Sequence, residues 1–193
     1  MPNKEKARVD LVPFYIKLAE TYFRICREEV KRIAPNHLYL GCRFCGGGKN
    51  ANASRAAAKY CDIISINIYA YRSDEFIRTY IPPDVDKPII IGEFMCGAYD
   101  RGMFHPSHVP TLNQEDRALE YWYYVRSALS HPLIVGTHWF KYQDYPVSGS
   151  AGFGGNYQCG FLDICDTPYI ETINTCRKVG YRLYEIRMLR GAW

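Results

Sequence analysis

The stretch KPIIIGEFMCGAYDRGMF, residues 87–104, places Glu93 directly after Ile89, Ile90, Ile91 and Gly92. An unbroken run of β-branched residues reads as a strand covered on both faces, the habit of parallel sheets. Burial of an unpaired charge is costly, so a carboxylate ending such a strand is either paired or functional. Glu93 is therefore the first candidate for chemistry.

Outward from this strand the chain alternates. VPFYIKLAETYFRICREEVKRIAPN has a helical apolar stripe of Leu18, Tyr22, Ile25, Cys26, Val30 and Ile33, ended by Pro35 and Asn36. HLYLGCRF follows as a short strand, then an alanine-rich helix, then the strand DIISINIYAY and the helix SDEFIRTYI. Beyond Glu93 a long loop through HPSHVPTL leads to the helix EDRALEYWYYVRSALSH. Asn113 is its expected cap, and Ala118, Tyr121, Trp122, Val125 and Leu129 its buried face. PLIVGTHWFKYQD is the fourth strand. A glycine-rich loop then precedes a last helix, with Thr167 as cap and Pro168 in the first turn.

Helix first, then four strand–helix alternations, predicts an α/β fold with parallel strands. An open doubly wound sheet and part of a (β/α)8 barrel both fit. No G-x-G-x-x-G or Walker loop follows any strand, which argues against nucleotide-binding versions. The 193 residues are read as a single domain, 1–193.

Composition narrows the function classes. The net charge is +4 with dispersed cations, so no nucleic-acid footprint is expected. No apolar run approaches membrane-span length. The polar start MPNKEKARVD shows no signal peptide, so the chain as it stands reads as cytoplasmic. Tyr 17, Phe 9 and Trp 3 make the chain rich in aromatics, which suit sugar clefts as well as cores and interfaces. The 8 cysteines, Cys42 and Cys45 included, lack a second zinc-type pair, so free thiols and no metal are expected.

In a barrel, chemistry gathers where strands run out. The four ends offer Arg43; Asn67 and Tyr69; Glu93; and His138, Trp139 and, further along, Asp144. Each has an ordinary structural reading, as an ion pair, a core ring or a solvated charge. Their recurrence at equivalent strand ends favours a shared site.

At this point a resemblance becomes specific. GEFMCGAYDRGMFHPSHVP, HPLIVGTHWFKYQD, APNHLYLGCRF and GNYQCGFLDICDTPY resemble the β-agarase type of glycoside hydrolase, related to β-galactosidases, in the clan of retaining (β/α)8 glycosidases. The similarity covers nearly the whole chain. It implies that the four strands are the fifth to eighth of the barrel, a half-barrel. It implies Glu93 as nucleophile, Tyr69 as the group that orients it, and Trp139 as a sugar platform. Arg43, Asn67, His138, Asp144 and Asn156 would contact substrate. No cofactor is implied. The substrate would be a β-linked galactan or agaro-oligosaccharide, and the family is often secreted. In GSAGFGGNYQ the sequence departs from the family pattern, with small residues at Ser150, Gly154 and Gly155 where charged ones are expected.

Retaining hydrolysis uses two carboxyl groups about 5–5.5 Å apart. In this clan the acid/base glutamate ends the fourth strand in an Asn-Glu pair, which this sequence lacks. Glu20, Glu28 and Glu29 lie on the first helix and cannot replace it. The expectation is a chain inactive by itself, with open sheet edges that associate as a homo-oligomer or with a complementing N-terminal half-barrel. Two other readings remain open here: a non-catalytic carbohydrate-binding or assembly protein, and an unrelated open α/β enzyme using Glu93 as a base or metal ligand.

Overall fold

The computed structural model describes residues 3–152 and 154–189. A four-stranded parallel sheet runs in the order β1 (Arg43–Phe44), β2 (Ile64–Asn67), β3 (Ile89–Phe94) and β6 (Ile134–Trp139). A separate parallel pair joins β4 (Gly97–Ala98) to β5 (Pro110–Thr111). The helices are α1 (Lys4–Ile33), α2 (Ala51–Tyr60), α3 (Ser73–Tyr80), α4 (Gln114–Ser130), α5 (Ile170–Tyr181) and α6 (Leu183–Met188). The fold is α/β, as the alternation of patterns predicts. The chain divides into two compact units, Met1–Ile66 with Ile77–Ile90, and Asn67–Phe76 with Ile91–Trp193.

In the first unit, β1 and β2 pair in parallel with Arg43 level with Ser65. The expected strand HLYLGCRF shrinks to two residues. Gly41 explains the loss: its φ is +66°, and an added Cβ would lie 2.6 Å from the Cys61 sulfur. The first helix begins at Lys4, well before the expected Val12, and runs through Pro13. Asn3 caps it, its Oδ1 accepting from the Glu5 and Lys6 amides at 3.0 and 3.2 Å. The apolar stripe of this helix is only partly buried. Phe23 is the helix's buried residue, whereas Leu18, Tyr22, Ile25 and Ile33 are 58, 50, 49 and 71% exposed. Within its unit α1 rests on α2, and Cys26 and Val30 of the stripe are half-buried. Asp62 ties the helix to the turn before β2. It accepts from the Tyr39 amide at 2.8 Å and from Arg27 at 2.9 Å, with Lys31 3.0 Å away. The Tyr39 amide first, then the two cations, hold its carboxyl well below the usual range.

In the second unit, Asn113 caps α4 as expected, accepting from the Asp116 amide at 2.8 Å. Ala118 and Val125 are buried, and Tyr121, Trp122 and Leu129 half-buried. Phe94 stacks on Tyr124 of α4, with centroids 4.2 Å apart. The fully buried Arg117 donates to the Cys96 and Gly160 carbonyls at 2.9 and 2.6 Å. The last helix starts at Ile170, later than the Thr167 cap predicts. Asp163 Oδ1 takes the Cys165 and Thr167 amides at 2.8 Å each, so these residues form a turn first. All eight cysteines are free thiols. Among the described residues no helix is long and apolar enough to cross a membrane.

Candidate active site

Glu93 is the penultimate residue of β3 and half-buried. Gly92 precedes it and Phe94 follows, and side chains alternate along a strand. Phe94 packs toward α4, so the Glu93 carboxylate leaves the opposite face. The chain after β2 runs beside it: the Ile68 amide donates to the Glu93 carbonyl at 3.0 Å. That register brings Tyr69 level with Glu93, and the Tyr69 hydroxyl donates to Glu93 Oε2. Asn67 ends β2 two residues earlier, on the same face by alternation, and is buried at 3% exposure. Tyr69 and Glu93 thus meet where β2 and β3 finish, with Asn67 two residues before Tyr69.

Loops supply a second wall. Tyr145 lies in the loop after β6 and is half-buried. Burial first, then Cys159 and Glu93, push its phenol above the ordinary tyrosine value. Its ring meets Tyr157 edge-on at 5.9 Å, and the Lys141 ammonium sits 3.8 Å above it. Tyr157 also packs on His105 at 4.6 Å and His108 at 5.4 Å. His108 closes the circuit by packing on Tyr69 at 4.9 Å. Tyr69, which donates to Glu93, thus belongs to a run of packed phenol and imidazole rings, the chemistry that suits a polyhydroxylated ring with apolar faces.

His105, His108 and Tyr145 are not among the site residues expected from the sequence. Nothing in their spacing identifies them, because HPSH and QDY are loop segments brought together only by folding. Asn156, half-buried beside Tyr157, makes a long contact of 3.5 Å to the Val147 carbonyl. Arg43 belongs to the first unit and is exposed on β1. His138 is exposed near the end of β6.

Two expectations need correction. Trp139 is not placed as a platform. Its ring packs against Phe94 at 5.2 Å, Tyr121 at 5.5 Å and Phe161 at 5.4 Å, with Arg117 at 5.5 Å and its Nε1 closed off from solvent. It shares the side of Phe94, away from the Glu93 carboxylate. The next residue, Phe140, instead contacts Tyr145 at 6.3 Å, and its amide donates to the Phe94 carbonyl at 2.9 Å. A one-residue shift along a strand end exchanges the two faces. Asp144 is likewise no sugar ligand. It is 4% exposed, and its Oδ1 takes the Cys159 and Gly160 amides at 2.7 and 2.6 Å. The Tyr169 hydroxyl donates to Oδ2 at 2.6 Å. Both oxygens are engaged in bracing the loop that carries Tyr157.

Among the described residues no group of three or more His, Cys, Asp or Glu side chains is placed to hold a metal ion. A carboxylate hydrogen-bonded by a phenol and lined by aromatic rings can act as a nucleophile toward a sugar carbon.

No family model matches the chain. Beta-agarase B of Vibrio sp. (strain JT0107) is 40% identical over 170 residues, covering 88% of this chain and 18% of that protein. Beta-agarase A of the same strain is 38% identical over 173 residues, covering 87% of this chain and 17% of that protein. The solved structure of an exo-beta-agarase superposes with a TM-score of 0.87 at 38% identity, over 97% of this chain and 25% of that one. The chain thus spans about a fifth of the length of the curated relatives it matches. In sequence and in fold, these 193 residues are homologous to a segment of the β-agarase type of glycoside hydrolase.

Proposed function

We propose that this chain carries the nucleophile side of a retaining glycosidase site for β-linked galactan or agaro-oligosaccharide, on a half-barrel equivalent to the fifth to eighth strands of a (β/α)8 barrel. Glu93 attacks the anomeric carbon, and a glycosyl ester forms as the leaving oxygen departs. Tyr69 holds the carboxylate in line, while Phe140, Tyr145 and Tyr157 line the sugar. The observation that carries this reading is the hydrogen bond from Tyr69 to Glu93 where two adjacent strands end.

A retaining site needs a second carboxyl to protonate the leaving group and then activate water. In this reading it comes from polypeptide other than these 193 residues, carrying the remaining strand–helix units. The uncovered stripe of α1 supports such a partner. Val9, Phe14, Leu18 and Ile33 are 72, 65, 58 and 71% exposed, and covering such surface is worth about 25 cal/mol per Å². The partner's predicted signature is the Asn-Glu pair.

An activated leaving group bypasses the missing acid, which makes the chain testable by itself. 2-Deoxy-2-fluoro-β-galactosyl fluoride should transfer its sugar to Glu93, with loss of fluoride, as read by peptide mass spectrometry. Glu93→Gln should abolish the label. Agaro-oligosaccharide should turn over only after a chain bearing the other strand–helix units is added. Label elsewhere, or none, would overturn the reading. Sugar binding without transfer would favour a non-catalytic carbohydrate-binding role, and turnover by a self-associated chain would favour a homo-oligomer.

A further inference from the structure

We propose that the free edge of β6 and the apolar groove beside it are the seam where a strand–helix unit of the complementing polypeptide enters, its strand parallel to β6; the inference rests on the half-barrel reading just given. β6 (Ile134–Trp139) stands last in the sheet order and, among the described residues, pairs with β3 alone. The backbone groups turned away from β3 are a template for another strand. Proteins that keep such an edge bare blunt it with charge or proline. The strand IVGTHW contains no Lys, Arg, Asp, Glu or Pro. It is an interior strand in sequence and an edge strand in place.

One face of β6 is covered at one end and bare at the other. Val135, Thr137 and Trp139 share that face by alternation. The Trp139 ring is packed against Phe94 and Tyr121, whereas Val135 is 56% exposed. Beside it opens a groove of about 610 Å³, walled by Val135 and Thr137 of β6, Leu129 of α4, and Val179, Gly180 and Leu183 of α5 and α6. Polar groups of the lining turn to the chain itself. The Tyr121 hydroxyl donates to Cys176 at 3.2 Å, and Arg187 donates to the Leu129, His131 and Pro132 carbonyls at 2.9, 2.8 and 3.0 Å. The rest of the wall is mainly aliphatic, so the groove fits apolar side chains better than a polar ligand. Gly180 adds room: a Cβ there would meet nothing within 4 Å.

The shape of this face selects its occupant. Two β6 edges meeting about a two-fold axis run antiparallel and set groove against groove, which fills neither. A strand–helix unit entering in parallel continues the sheet in the sense it already has, and its apolar side chains pass over Val135 into the groove. The exo-beta-agarase that shares this fold has polypeptide to cover such a face, because the matched part is 25% of its chain. Edge and groove together thus call for a strand flanked by apolar residues and followed by a helix.

Amide hydrogen exchange tests the edge and Gly180→Leu tests the groove. In the chain alone, the β6 amides turned away from β3 should exchange about as fast as exposed loop amides. In a chimera with this chain in place of the matched 170 residues of Beta-agarase B, they should exchange at least about tenfold more slowly. Gly180→Leu should leave the melting temperature of the chain alone level or raised, since α5 gains a side chain that strikes nothing. In the chimera the same change should lower it by about 3 °C, because the groove is then filled twice. Slow exchange at the β6 edge of the chain alone, or a chimera as tolerant of Gly180→Leu as the chain alone, would overturn the seam. So would a chain that sediments as a dimer and becomes a monomer in Gly180→Leu, since its groove would then hold a second copy. The exchange of the chain alone needs no chimera and can overturn the seam by itself. None of these readouts involves Glu93. Fluorosugar labelling that fails while they hold counts against Glu93 as nucleophile and leaves the seam standing; labelling that succeeds while they fail counts against the seam alone.

Discussion

Replacing Asp144 with alanine separates a sugar ligand from a brace. Asp144 receives three short hydrogen bonds, from the Cys159 and Gly160 amides and the Tyr169 hydroxyl, at 2.7, 2.6 and 2.6 Å. Hydrogen bonds to a charged acceptor are worth about 1.5–3 kcal/mol each, and an abandoned buried donor costs about 1–3 kcal/mol. The three share one carboxylate and are not additive, so about 4 kcal/mol is the working figure for Asp144→Ala. Asp144→Asn keeps one carbonyl oxygen for the two amides and loses the charge, so about 2 kcal/mol is expected. Against a total stability of about 5–15 kcal/mol these are large losses. Urea unfolding followed by tyrosine and tryptophan fluorescence measures both. A surface carboxylate that only touched sugar would unfold at the unaltered midpoint and lose ligand affinity alone. A loss under about 1 kcal/mol for Asp144→Ala would refute the bracing role.

Gly97→Ala should cost at least about 3 kcal/mol, because the new methyl meets two backbone carbonyl oxygens that cannot rotate away. Limited proteolysis should then cut within 99–109 sooner than in the unaltered chain, and equal rates would count against that close packing. Glu120 makes a pH prediction. One of its oxygens is buried without a partner, and burial pushes its carboxyl up to about 7. Folding therefore favours the protonated form. Its contribution is fully present below the ordinary carboxylate range and is lost as pH rises toward about 7. Glu120→Gln should remove that loss, adding about 1 kcal/mol at pH ~8 after allowance for solvent screening of a half-buried group, and little at pH ~4. Thermal melts at the two pH values measure it, and an equal gain at both would refute the assignment.

The sequence by itself carried the alternation of strands and helices and the placing of Glu93 near the end of β3, while the pairing of Tyr69 with it came from the family resemblance alone. The first two are legible because a buried parallel strand must be continuously apolar, so a polar residue at its end stands out. It also carried the cap at Asn113, which depends on residues three apart. It could not assign Trp139 or Asp144. Which face a strand-end ring takes turns on a shift of one residue, and whether a loop carboxylate is spent on backbone amides depends on which segments fold against it. The apolar stripe of α1 is legible as a face, but periodicity does not say what covers it. Tertiary structure alone brought His108, Tyr145 and Tyr157 into one run with Tyr69, since residues distant along the chain meet only where loops are clamped by contacts such as that of Gly97 with Pro106 and Gln158.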